Sequence, residues 1–196
     1  MRKSKIERKT AETDITLSLN LDGTGKSTVS TGVGFLDHMM ELFARHGRFD
    51  LEIICKGDTH VDGHHSVEDI GICLGTALAQ ALGEARGVRR FSDVTLPMDE
   101  ALVTCAIDIS GRSHLSMDVT LPDRTIGAME AELFEEFLLA FTRKAGITLH
   151  IRMISGKNAH HIIEACFKSL ACALREAVKI DEEYKDEIPS TKGTLV

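Results

Sequence analysis

The sequence predicts an α+β fold made by internal duplication, with two sheets packed on four main helices. Three observations carry that prediction. His64-His65-Ser66-Val67-Glu68 recurs as His160-His161-Ile162-Ile163-Glu164, 96 positions later. FLDHMMELFARHGRFDLEI (35–53) lies over LFEEFLLAFTRKAGITLHI (133–151) at an offset of 98. ETDITLSLNLDG (12–23) lies over EALVTCAIDISG (100–111) at an offset of 88. Recurrence along the whole chain means one supersecondary unit used twice.

Taken in order, each half reads as two or three strands, a helix, a strand and a helix. Segment 12–23 alternates apolar and polar residues and ends on Gly23, so it is read as the first arm of a hairpin, as is its copy at 100–111. LDGTGKST (21–28) contains Gly-Lys-Ser, but a P-loop needs Gly six positions before the Lys, and Asn20 stands there. It is read as a plain turn. Segments 35–53 and 133–151 each read as a helix, a short break containing Gly and the start of a strand. After each HHxxE, apolar or small residues at 67, 70, 71, 74, 77, 78 and 81 match those at 163, 166, 167, 170, 173, 174 and 177. That is the 3.6-residue period of a helix with one apolar face. The halves run about 6–90 and 93–183, within a single duplicated domain over 1–183. Asp181 to Val196 has no counterpart, is polar and carries Pro189, so it is read as a tail.

The composition narrows the class. At 196 residues, 43% hydrophobic and 27% charged, the chain has a soluble, globular balance that excludes disorder and collagen-like repeats. The longest mostly apolar stretch, Ile70 to Leu82, is broken by Gln80 and too short to span a bilayer, so no membrane partner is expected. The opening MRKSKIERK lacks the apolar core of a secretory signal. A net charge of −7 argues against a nucleic-acid partner. The five cysteines (Cys55, Cys73, Cys105, Cys166, Cys172) show no CxxC spacing and are read as small core residues in a reducing cytoplasm.

The chemistry sits in the histidines. On a helix, HHxxE puts the first His and the Glu on one face, while the second His points roughly 100° away. One motif can therefore offer ligands to two different ions. Imidazole nitrogen with carboxylate oxygen suits Mn, Fe, Co, Ni or Zn, and the absence of thiolates argues against a structural zinc site. A lone His pair is an ordinary surface helix start; two copies at equivalent points, the first preceded by Asp58, His60 and Asp62, point to metal. Arg89-Arg90, Arg112 in the hairpin SGRS, Lys168 one turn past Glu164, and Lys192 in STKG are ordinary solvated charges singly. Gathered beside a metal site they would hold an anion such as phosphate. Glu12, its repeat-equivalent Glu100 and the adjacent Asp99 are the carboxylates considered for acid–base work. No GxSxG and no dinucleotide fingerprint is present, and no organic cofactor is expected.

FLDHMM, DTHVDGHHSVEDIGICLG, RFSDVTLPMDEA, SGRSHL, TLHIRMISGKNAHHIIEACFKSLACALR and STKG, in that order, closely resemble imidazoleglycerol-phosphate dehydratases from about Ile6 to Leu195. The resemblance implies the ribosomal protein S5 domain 2-like fold class. It also implies dehydration of imidazole glycerol phosphate to imidazole acetol phosphate in histidine biosynthesis, in the form without an attached phosphatase domain. It further implies two Mn2+ ions per active site and a homo-oligomer of 24 subunits built from trimers, with sites between subunits. By motif, the metal ligands would be His38, His64, His65, Glu68, His160, His161 and Glu164. Glu12 would be the acid–base carboxylate and His46 a further residue at the substrate. Arg90, Arg112, Lys168, Ser190 and Lys192 would surround the phosphate, with residues 184–196 closing over it. The hydrogen to be removed has no carbonyl beside it, so a base alone would fail. Cations on the ring nitrogens would allow an imidazolate to expel the hydroxyl, giving a diazafulvene whose neighbouring proton a carboxylate then removes.

One position departs from the family pattern. At the offset of 98, His38 falls on Glu136, where many family members carry a histidine in an EHFF-like stretch and this chain has EEFL. Glu136 is expected to be a ligand, since carboxylate oxygen suits Mn2+. Two other readings of the HHxxE pair are a dinuclear metal hydrolase of a small phosphorylated substrate and a metal-storage oligomer. The basic set distinguishes them, because storage has no need of it.

Overall fold

The structure, a computed structural model, describes residues 2–195. The first half contains β1 (Lys3–Lys9), β2 (Thr13–Asn20), β3 (Ser27–Ser30), α1 (Gly34–Gly47), β4 (Asp50–Gly57) and α2 (His64–Leu82). The second contains β5 (Phe91–Met98), β6 (Ala101–Asp108), β7 (His114–Asp118), a small hairpin of β8 (Thr125–Ile126) and β9 (Met129–Glu130), α3 (Leu133–Ala145), β10 (Thr148–Ser155) and α4 (Ala159–Ala177). The two main sheets have the same plan, β1-β2-β4-β3 and β5-β6-β10-β7. In each, the last pair is parallel and the others antiparallel. The duplication is therefore present in the backbone as well as in the sequence. Its offset rises from 88 to 98 because the β8–β9 hairpin is inserted before α3, with no counterpart before α1.

Alternation decides which face of each sheet is buried. Ile15, Leu17 and Leu19 of β2, and Val103, Cys105 and Ile107 of β6, point inward. The helices fill the space between the sheets and pair across the halves, α1 against α4 and α2 against α3. At Gly71 and Gly75 the α2 and α3 backbones come so close that a Cβ would stand 2.7 Å from the Phe137 carbonyl and 2.4 Å from that of Phe141. Phe134, Phe137, Phe141 and Phe167 complete one continuous core. All five cysteines are free, four of them buried. No helix among the described residues is long and apolar enough to cross a membrane.

Two expectations about connections are corrected. Segment 12–23 is the second arm of its hairpin: β1 pairs with it from Lys3↔Asn20 to Lys9↔Asp14, and β5 likewise precedes β6. β1 hides from a hydrophobicity reading because Ile6 is its single apolar residue. As an edge strand it satisfies its other inward positions by polar contacts, Ser4 Oγ donating to the Ala77 carbonyl and Arg8 Nη2 to Asp69 Oδ1. The SGRS segment is not a hairpin either, since β10 lies between β6 and β7 and the chain must cross over it.

The turn after β2 is plain, as expected, and has a clear anchor. Asp50 accepts from the amides of Thr24 at 2.8 Å and Lys26 at 3.1 Å and from the Asn20 side chain at 3.2 Å. The Thr24 N–H first, then those of Lys26 and Asn20, hold the Asp50 carboxyl down at about 2. Amides that would cradle phosphate in a P-loop here hold the chain's own carboxylate.

The tail docks. Asp181 N donates to the Gly87 carbonyl at 2.7 Å, Gly87 N to that of Glu187 at 2.8 Å, and Arg90 Nη1 to that of Pro189 at 2.7 Å. Leu195 packs against the core.

Candidate functional site

Pairing α1 with α4 brings His38 to the first turn of α4. That helix begins where it does because the Asn158 side chain caps it, accepting from His160 N at 2.9 Å and His161 N at 3.3 Å. The i,i+4 spacing then stacks His160 over Glu164, Nε2 to Oε2 being 3.2 Å, and His38 Nε2 reaches the same oxygen at 3.5 Å. Phe35 holds the His160 ring edge-on at 5.0 Å. Glu164 is buried, which raises its pKa, but Lys168 at 2.5 Å from Oε1 and then His38 outweigh this, so the group lies below its ordinary value and stays anionic. His46, two turns beyond His38, is pushed down by burial and then by the Lys168 charge, and so stays neutral.

Three donor atoms of His38, His160 and Glu164 all lie within 4.8 Å of one another, the one such group among the described residues. Bonds of about 2.1 Å to one ion place adjacent ligand atoms roughly 3 Å apart. The two contacts to Glu164 Oε2 approach that spacing, and the nitrogen–oxygen donor set suits a first-row divalent ion. The His38 side chain is 45% exposed, leaving the group open on one side to further ligands.

The repeat-related group on α2 and α3 is less complete. Asp62, two residues ahead of α2, accepts from His64 N at 2.8 Å. His64 Nε2 and Glu68 Oε2 are 4.0 Å apart and open to solvent. Glu136 lies half-buried in the first turn of α3 and does not close a three-donor group with them. Within one chain, the two HHxxE motifs therefore present one gathered trio and one outward-facing pair.

The second histidine of each motif points elsewhere, as the helical angle requires. His65 Nδ1 is 3.1 Å from both Asp58 oxygens, and its Nε2 faces Glu12 at 3.6 Å. His161 Nδ1 is 2.8 Å from Glu100, and its Nε2 faces Asp99 at 3.9 Å. Asp58 raises the His65 pKa and Glu100 raises that of His161.

The repeat-equivalent carboxylates Glu100 and Glu12 differ sharply. Glu100 also accepts from the amides of Asn158 at 2.8 Å and Lys157 at 3.2 Å. His161 foremost, with those amides, pulls it down to about 2. Glu12 has no such bonds on its carboxylate and is half exposed. Its backbone is nevertheless fixed, because Thr10 Oγ1 accepts from the amides of Glu12 and Thr13, and Thr13 Oγ1 donates to buried Asp69 at 2.5 Å. In sequence Asp58 stands out only as an acid ahead of the first HHxxE, and Asp69, Asn158 and Phe35 do not stand out, although the acid directly after HHxxE is a signal for Asp69.

Four of the five residues expected around a phosphate line one cavity of about 780 Å³: Arg90, Arg112, Ser190 and Lys192. Arg90 is anchored there by Asp108 at 2.7 Å and lies over the Phe91 ring at 4.5 Å. Lys168 stands apart on Glu164, and the stretch of α4 from Lys168 to Ala177, whose carbonyl accepts from Arg90 N, spans about 13 Å.

The sequence profile of the imidazoleglycerol-phosphate dehydratase family matches residues 31–174. The chain is 56% identical over 195 residues to the imidazoleglycerol-phosphate dehydratase of Methylorubrum extorquens and 54% identical to that of Jannaschia sp., covering 100% of each protein. Its fold superposes on the crystal structure of the Staphylococcus aureus enzyme with a TM-score of 0.84 at 37% identity, covering 91% of this chain and 99% of that one. The Pyrococcus furiosus structure gives 0.83 at 38% identity, covering 96% and 99%. Agreement over the whole length in both sequence and fold goes beyond shared architecture. The chain belongs to the imidazoleglycerol-phosphate dehydratase family.

Proposed function

We propose that this chain dehydrates imidazole glycerol phosphate to imidazole acetol phosphate in histidine biosynthesis, acting in the cytoplasm as a metal-dependent lyase. The observation that carries the reading is the gathering of His38, His160 and Glu164, with Lys168 behind them, at a helix pair joining the two halves. We assign Mn2+ to the resident metal, two ions per active site. The first would be held by His38, His160 and Glu164, and the second by His64, Glu68 and Glu136. His65 and His161 would supply the remaining nitrogens from neighbouring chains of a 24-subunit assembly. When bound, the ions supply positive charge that lets the substrate ring give up its proton and carry electrons toward the leaving hydroxyl.

The protein's own residues do the rest. Glu12, held by its backbone and with a half-exposed carboxylate facing His65 Nε2, takes the proton from the diol carbon. Glu100, bonded to His161 and to the Lys157 and Asn158 amides, serves as a partner of His161. His46, kept neutral, contacts the substrate without adding charge beside the metals, and Asp99 lies across from the His161 ring. Arg112, Lys192 and Ser190 hold the phosphate, while Arg90 binds the tail through Pro189 and so keeps water out. Incubating the purified protein and Mn2+ with imidazole glycerol phosphate tests the reading. The ketone product should form; its absence under conditions where metal is bound would refute the assignment.

A further inference from the structure

We propose that Asp58 and Glu100 are positioning residues with one shared task. Each accepts a hydrogen bond from the Nδ1–H of the second histidine in its HHxxE motif, leaving the Nε2 lone pair free for a metal ion. The proposal rests on the metal reading above but concerns the rings alone. An ionised carboxylate is only an acceptor, so an imidazole nitrogen bonded to one must carry the proton. His65 meets Asp58 through Nδ1 at 3.1 Å, and His161 meets Glu100 through Nδ1 at 2.8 Å. A partner on the far nitrogen is what fixes the tautomer and orientation of a metal-binding imidazole.

The argument comes from how the two halves reach this contact. At the repeat offset of 88, Glu100 corresponds to Glu12, yet Glu12 stands on the Nε2 side of His65, 3.6 Å away. At the offset of 98, Asp58 corresponds to Gly156, which has no side chain to offer. The connection from β4 to α2 has six residues (58–63), whereas that from β10 to α4 has three (156–158). The longer loop carries Asp58; the shorter one leaves the work to Glu100 at the start of β6. Shared descent of the halves would have preserved one arrangement, but the same Nδ1 contact has been built from non-equivalent residues. The requirement thus lies with the imidazole rather than with the scaffold. One consequence follows for the reaction. Because Asp58 occupies Nδ1, Glu12 is released from the clamping duty of its counterpart and faces the side where an ion and substrate would sit.

Long-range proton–nitrogen NMR on metal-free protein with 15N-labelled histidine tests this without substrate, so its failure is distinct from failure of the dehydratase reading. Above the histidine pKa values, both His65 and His161 should carry the proton on Nδ1. Finding it on Nε2 in either ring of the unmodified protein overturns the proposal. In Asp58→Ala, the His65 tautomer should change while His161 keeps its own, and calorimetric titration with Mn2+ should show about ten- to a hundredfold weaker binding of one class of ion. Asp58→Asn, whose Oδ1 still accepts from Nδ1, should restore the tautomer and most of the affinity. A variant Asp58→Ala with unchanged tautomer and affinity would show that the carboxylate is only a surface partner.

Discussion

His38 Nε2 lies 3.5 Å from Glu164 Oε2, although the two residues belong to opposite halves of the duplicated chain. A contact made across the repeat can form only once α1 has packed on α4, so the metal group and the tertiary fold are built by the same event. Loss of Glu164 should therefore be felt in both. In Glu164→Gln, Lys168, only 16% exposed, loses its anionic partner. Urea unfolding of the metal-free protein should show a cost of about 3 kcal/mol, and metal analysis should show one ion fewer per chain.

Glu12 and Glu100 should separate by phenotype. Glu12→Gln should lower kcat by roughly a hundred- to ten-thousandfold with metal content and stability unchanged. Glu100→Ala should weaken metal binding and loosen the start of α4, because it removes the acceptor that holds His161 and the Lys157 and Asn158 amides. The two variants compared by steady-state kinetics and calorimetric Mn2+ titration decide the assignment.

Asp50 provides a pH dependence away from the metal residues. Its pKa is depressed in the fold to about 2, against roughly 4 in an unfolded chain. A depressed carboxylate stabilises fully above the unfolded value, and that contribution is lost as pH falls from about 4 through about 2. Asp50→Asn should thus cost about 1 kcal/mol at neutral pH, allowing for solvent screening, and progressively less below pH 4. Denaturant midpoints measured from pH 7 to pH 2 check the sign.

Removing the tail after Glu187 takes away Ser190 and Lys192 and frees the Arg90 contact to Pro189. Turnover should be lost while metal content and the unfolding midpoint stay near those of the full chain. Near-normal turnover would show that the phosphate is held elsewhere.

Glu136→Ala should selectively weaken one of the two ions, and Glu136→His should restore it, with a shift toward softer metals. Unchanged affinity in Glu136→Ala would make this carboxylate a bystander on α3.

Much of this is legible in the sequence because helices advertise themselves locally. The apolar stripes after His64 and His160, and the breaks at Gly47 and Gly146, located all four helices and with them the duplication. β1 was not legible, because an edge strand with only Ile6 apolar carries no alternation. SGRS looks like a hairpin in the sequence but is not one, because pairing partners in a sheet are set by topology, and β10 arrives from far along the chain to separate β6 from β7. At the site, the doubled HHxxE motif drew attention to His160 and Glu164, the family resemblance added His38, and the fold brings the three donors within 4.8 Å of one another. Asp58 and Asp69 needed the fold, since an acid near a motif becomes a partner only when a loop or strand brings it to a particular nitrogen or hydroxyl. The residues expected around the phosphate illustrate the same limit: Arg90, Arg112, Ser190 and Lys192 converge, but Lys168 turns to Glu164.

The most direct test of the central claim is turnover of imidazole glycerol phosphate by metal-free protein as Mn2+ is added stepwise. Two HHxxE motifs per chain, each offering ligands to two ions, predict almost no ketone without metal and a plateau near two ions per chain. Full turnover by the metal-free protein, or none at any ratio of Mn2+ to chain, would contradict it.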